Sequence, residues 1–124
     1  MDAVAEKENP QPAAVLTKAI RNAAVRLGMT QRELAAVLGT SEASVSRLSA
    51  GRRLDPSGKE GELALLFLRL YRSLDALVGG DDAAARAWYR SANTHVGGVP
   101  AERAARVEGL VEVVQYLDAV RGRL

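Results

Sequence analysis

The chain has 124 residues, 48% of them hydrophobic, and a formal net charge of +2. That size suits one ordinary domain or two small helical modules sharing a core. Cysteine is absent, which excludes disulfide and thiol chemistry, and the longest apolar run, from Leu63 to Leu68, is far too short to span a bilayer. Residues 1–12 carry Asp2, Glu6 and Glu8 and no apolar core, so they read as a flexible N-terminal tail and not as a signal peptide. A soluble, cytoplasmic protein is expected.

In chain order, the first helix is expected over residues 13–27, with Leu16, Ile20, Ala23 and Leu27 as its apolar stripe and Gly28 as its stop. Two short helices with a glycine between them follow, over residues 30–51. Thr30 with Glu33 fits a capping box, in which hydroxyl and carboxylate each satisfy an orphan amide. Leu34, Ala35 and Leu38 share a face, Gly39 suits a left-handed C-terminal cap, and Ser41 caps the next helix. Val45 and Leu48 are that helix's inward face. Helices this short must cross tightly, which makes a helix-turn-helix whose second helix fits a major groove.

Pro56 and Gly58 punctuate a linker over residues 52–58. The fourth helix, from about residue 59 to the Gly79-Gly80 pair, is apolar around most of its circumference. One core demands only a stripe. Either the chain itself buries this helix on all sides or a second copy does; a dimer contact through Leu63, Leu66, Phe67 and Leu70 is expected. Asp81 or Asp82 should cap a fifth helix reaching about residue 91. A loop over 93–99, a short helix starting at Pro100 and a last helix over 108–120 complete the chain. No segment alternates with period two, so the class is all-α.

Charge is unevenly placed. Residues 13–53 hold Lys18, Arg21, Arg26, Arg32, Arg47, Arg52 and Arg53 against Glu33 and Glu42, a net +5, whereas residues 57–124 balance to zero. Phosphate attraction needs that distribution on the segment with the helix-turn-helix. No Ser-His-acid set, phosphate loop or metal-ligand spacing occurs around the single histidine, His95, so no catalysis, metal or cofactor is expected.

Residues Thr30-Gln31, Leu34-Ala35, Gly39, Ser41, Val45-Ser46-Arg47-Leu48 and Gly51 resemble the Xre and phage-repressor class of helix-turn-helix. Further on, Trp88, Asn93, Gly97, Gly98, Pro100, Glu102, Gly109, Val113 and Leu117 resemble the toxin-binding domain of Xre/MbcA/ParS-type antitoxins. The chain departs from that pattern at Ala92, where the family usually has Pro, and in a glycine turn that lacks the usual Thr before Pro100. The resemblance implies a helix-turn-helix DNA-binding module over 13–56 and a helical dimerisation and toxin-binding domain over 57–124. It also implies an antitoxin that inhibits a RES-domain, NAD-consuming toxin by covering its active site, and that represses its own operon as a homodimer within a larger toxin–antitoxin complex. A stand-alone regulator whose C-terminal half only dimerises is the alternative.

By alignment with phage repressors, Glu42, Ala43 and Arg47 are expected at base edges, Arg47 as a bidentate guanine contact. Gln31, Ser44, Arg52 and Arg53 are expected at phosphates, which set register and not sequence. The resemblance places toxin contacts on the last helix and tail, where Glu112, Gln115, Tyr116, Arg121, Arg123 and Leu124 are the candidates.

Overall fold

A computed structural model describes residues 11–123. Helix α1 spans Pro12–Arg26, α2 Gln31–Leu38 and α3 Glu42–Ser46. The last of these tightens into a 3-10 turn over Arg47–Ala50. Helix α4 spans Lys59–Leu77, α5 Asp82–Arg90, α6 Pro100–Arg103 and α7 Val107–Arg121, with a second 3-10 turn at Thr94–Val96. Among the described residues there is no strand; one isolated antiparallel bridge pairs Asn93 with Gly98. The fold is thus all-α, a helix-turn-helix bundle followed by a second helical part.

The helix ends follow local chemistry. Pro12, with no amide to satisfy, opens α1 one residue earlier than the sequence suggested; residues 1–10 of the expected tail lie outside the described residues. Asp81 Oδ1 accepts from the Ala84 amide and starts α5, and Pro100 opens α6. The recognition helix runs as 3-10 over its second half. Its sequence is rich in serine, whose side chain competes for backbone groups: Ser49 Oγ donates to the Ser46 carbonyl at 2.8 Å.

Helix α4 is the axle of the fold. Helices α1 and α2 pack on it from the N-terminal side and α7 from the C-terminal side. Ala64, Phe67, Leu68, Leu70 and Leu74 are all buried in one apolar cluster that also holds Ile20, Leu38 and Leu117. This corrects part of the expected dimer contact. Phe67 and Leu70 are wholly enclosed by their own chain and have no surface to offer a second copy. Burying a side chain of that size contributes roughly 1.5–3 kcal/mol, so the apolar coat of α4 is largely explained by burial on several sides. Leu63 and Leu66 stay partly exposed, and Leu65 is left 47% exposed.

The segment expected as a linker is pinned. Leu54 is fully buried, and its amide donates to Thr17 Oγ1 of α1 at 2.8 Å. Gly61, in the first turn of α4, lies so close to Asp55 that a Cβ built on it would sit 1.8 Å from the Asp55 carbonyl oxygen.

Candidate nucleic-acid interface and partner-binding face

The helix-turn-helix is set by three local devices. Thr30 Oγ1 accepts from the Glu33 amide at 3.1 Å, and Glu33 Oε1 accepts from the Thr30 amide at 2.9 Å, a complete capping box. Gly39 turns the chain at φ +68°, a left-handed conformation that costs a side chain free energy. Ser41 Oγ then accepts from the Ser44 amide at 3.1 Å. With Leu34, Ala35, Leu38, Val45 and Leu48 buried, α2 and α3 turn their other faces outward, and Gln31, Glu42, Ala43 and Arg47 are exposed there. Ser44 is half-buried, and its Oγ accepts from Arg47 Nη2 at 3.1 Å, which steadies the guanidinium along the recognition helix.

Arg52 differs from expectation. It is partly buried, forms an ion pair with Glu60 of α4 and reaches the Ser44 carbonyl at 3.4 Å. A guanidinium so engaged braces the end of the recognition segment and is not available as an open phosphate contact. Arg53 is exposed and lines a groove of 670 Å3 between α1 and the helix-turn-helix. Lys18, Arg21 and Asn22 of α1 line the same groove, as do Gln31 and Ser49, and no carboxylate does. Among the described residues Lys18, Arg21, Arg47 and Arg53 make no ion pair. A concave surface with three cations, several neutral hydrogen-bonding groups and no acid is suited to a phosphate chain. The charge count includes Lys18 and Arg21 in the basic segment but gives them no individual contact; their three-residue spacing, beside the buried Thr17 and Ile20, is the signal that puts both on one outer face.

A polar latch joins α5 to the corner between α1 and α2. The Arg90 guanidinium donates to both Glu33 oxygens, from Nη2 to Oε1 at 3.0 Å, and to the Gly28 carbonyl at 2.9 Å. Arg86 Nη1 donates to the Arg26 carbonyl at 3.0 Å, and Arg26 pairs with Asp82 at 3.7 Å. Hydrogen bonding from Arg90 holds the Glu33 carboxyl below its ordinary range despite partial desolvation. Behind the latch, Tyr89 is buried edge-on to Phe67, with ring centroids 6.3 Å apart.

The C-terminal part is organised by the turn over 93–99. Asn93 exchanges backbone hydrogen bonds with Gly98, and its Oδ1 accepts from the His95 amide at 2.9 Å. Arg103 crosses back to the Val96 carbonyl at 3.1 Å and pairs with Glu112 at 2.8 Å. Three rings from three elements lie nearly parallel: Trp88 and Tyr116 at 6.4 Å between centroids, His95 and Tyr116 at 5.3 Å. Trp88 is half-buried and packs against the core.

The expected toxin-contact residues do not form one patch. Gln115 and Glu112 lie on the exposed ridge of α7, with Glu112 tied to Arg103, while Tyr116 sits in the ring stack. Arg121 lies on the other shoulder of α7, donating to Ser73 Oγ of α4 at 3.4 Å. Arg123 is exposed beyond the helix, and Leu124 lies outside the described residues.

A capped helix-turn-helix with an acid-free basic groove, latched to a second helical module, has the form of a DNA-binding protein with an attached helical part. Family comparison resolves it further. The profile described as the antitoxin Xre-like helix-turn-helix domain matches residues 8–69, and that of the antitoxin Xre/MbcA/ParS C-terminal toxin-binding domain matches residues 73–123. The chain belongs to the Xre/MbcA/ParS family of antitoxins, the DNA-binding members of toxin–antitoxin systems. No curated protein matches it. No helix among the described residues is long and apolar enough to cross a membrane.

Proposed function

We propose that this antitoxin binds and inhibits a RES-domain, NAD-consuming toxin by covering its active site. It acts in the cytoplasm and represses its own operon as a homodimer. Residues 13–56 read the operator, and residues 57–124 dimerise and hold the toxin. The observation that carries the reading is the presence of both family modules, in order, on a chain whose helix-turn-helix is fully capped. The NAD-consuming partner comes from the family resemblance, and covering a pocket needs no chemistry from the inhibitor, only an interface that stays bound.

On DNA, Arg47 reads a guanine edge while Glu42 and Ala43 lie beside it. Gln31, Ser44 and Arg53, with Lys18 and Arg21 across the groove, fix register on the phosphates. A dimer follows from the geometry of helix-turn-helix readers, which take two half-sites a helical turn apart. Its contact falls on the partly exposed Leu63 and Leu66.

The test is co-expression with the protein encoded beside it. The full chain should restore growth, and a gel shift on its own promoter should weaken steeply with salt. Arg47→Ala should cost about 1–3 kcal/mol on the cognate site, whereas Lys18→Ala should weaken all sites alike and reduce the salt slope by about 1. A chain that shifts the promoter but neither binds its neighbour nor restores growth is a plain regulator, and the antitoxin mechanism is then wrong.

A further inference from the structure

Between α4 and α7 lies a second concavity, of 410 Å3, lined by Leu65, Leu68, Arg69, Arg72 and Arg121. It shares no residue with the basic groove of the helix-turn-helix. Two of its three guanidiniums are held in place. Arg69 pairs with Asp118, whose other oxygen accepts from the buried Ser73 hydroxyl at 2.9 Å; that hydroxyl in turn accepts from Arg121 Nη1 at 3.4 Å. Arg72 is exposed and makes no ion pair among the described residues. Asp118 is used up within the wall, so the concavity presents surplus positive charge beside an exposed leucine.

We infer that this concavity is where the toxin is recognised: it seats an acidic side chain of the toxin among the three guanidiniums, with an apolar neighbour against Leu65 and Leu68. The inference rests on the antitoxin reading and gives that interface a location and a chemistry. Arginine forks match carboxylate geometry and are weakly hydrated, which suits a contact that must shed water. Two guanidiniums already oriented by Ser73 and Asp118 lose little freedom on binding. A second copy is assigned elsewhere, to the partly exposed Leu63 and Leu66 of the same helix, so it is not the occupant proposed for this concavity. Nucleic acid is the wrong occupant, since a phosphate chain leaves the 47% exposed Leu65 without an apolar partner. Arg121, with Ser73 and Asp118 behind it, falls in the segment matched as toxin-binding, and Arg72 borders it; Leu65, Leu68 and Arg69 fall at the end of the range matched as helix-turn-helix.

Arg72 and Leu65 hold nothing in the fold, so they are the residues to change. The full-length protein is titrated by calorimetry with the purified protein encoded beside it, as wild type, Arg72→Glu, Arg72→Lys and Leu65→Asp. Helical circular dichroism, light scattering and promoter binding are measured on each. Arg72→Glu and Leu65→Asp should each weaken the complex at least tenfold, Arg72→Lys should lose less, and promoter binding should stay as in wild type. Affinities within twofold of wild type for both Arg72→Glu and Leu65→Asp overturn the inference while leaving the antitoxin reading intact. Loss of promoter binding in Arg72→Glu, or a change of oligomeric state, with the complex unaffected, assigns the concavity to DNA or to a second copy and also overturns it. A wild type that binds no neighbour removes the antitoxin reading itself, a result distinct from the others.

Discussion

Gly61→Ala is the sharpest probe of how the DNA-reading segment is fixed to the body. The added Cβ would sit 1.8 Å from the Asp55 carbonyl oxygen, 2.6 Å from its carbon and 2.8 Å from Pro56 Cα. All three are backbone atoms, so no flexible side chain can swing aside, and the 55–56 segment or α4 must move by more than an ångström. Overpacking of this kind costs about 1–3 kcal/mol and occasionally more. Alanine returns up to about 1 kcal/mol through helix propensity. A net loss of about 1–2 kcal/mol follows, or a melting temperature roughly 3–10 °C lower for a chain of this length. Promoter affinity should fall too, because Asp55 directly follows Leu54, whose amide anchors the segment to α1. Gly58→Ala is the clash-free comparison: its nearest neighbour would be 3.6 Å away, and its own cost is only that alanine is a poorer N-cap than glycine. Melting by circular dichroism decides. If Gly61→Ala melts with wild type and Gly58→Ala, the close approach is not a constraint and the reasoning fails.

Two further outcomes follow from the latch and the ring behind it. Arg90 lowers the Glu33 pKa from its ordinary 4.5. The folded state therefore binds fewer protons there than the unfolded one, and the stability this contributes is present above pH 4.5 and is lost as pH falls through the lower folded value. Acid unfolding of Arg90→Met should lack that component; curves that stay parallel to wild type at every pH would refute it. Tyr89 is buried, its hydroxyl finds no hydrogen-bonding partner among the described residues, and desolvation pushes its pKa up. Tyr89→Phe should melt at or above the wild-type temperature, and a clear fall would show that the hydroxyl is bonded after all.

What could be read from sequence here is what neighbours in the chain decide. The Thr30–Glu33 box, the Gly39 turn, the Ser41 cap and Pro100 at a helix start are all settled within four residues, and the structure holds each of them, while of Asp81 and Asp82 it selects Asp81 as the cap. Contacts across long sequence separations were not readable. Arg52 looks like an open phosphate contact until Glu60 is seen beside it, and nothing local pairs Arg90 with Glu33 or stacks His95 on Tyr116. The leucines of α4 satisfy a dimer and a many-sided core equally well as a pattern. Packing alone separates Phe67 and Leu70, which are enclosed, from Leu65, which is not.

Helix α4 also bears on how separable the two activities are. The matched ranges, 8–69 and 73–123, meet within it, yet α1 and α2 pack on the same helix as α7, and one apolar cluster runs from Leu16 to Leu117. The Arg90–Glu33 latch further ties α5 to α2, and the Arg52–Glu60 ion pair ties the end of the recognition segment to α4, on which α7 packs. Any coupling between toxin and operator through them is reciprocal: a toxin that tightens operator binding is itself bound tighter by the same factor when operator is present. A fragment beginning at residue 57 keeps α4 whole but bares the face that α1 and α2 cover, so a loss of neutralisation in it reports lost packing as well as lost contacts. Full-length Arg47→Ala leaves that core, the Arg90–Glu33 latch and the Arg52–Glu60 pair in place while removing the proposed base contact. If it neutralises like wild type and fails only on the promoter, toxin binding and operator reading are separable functions of one folded unit.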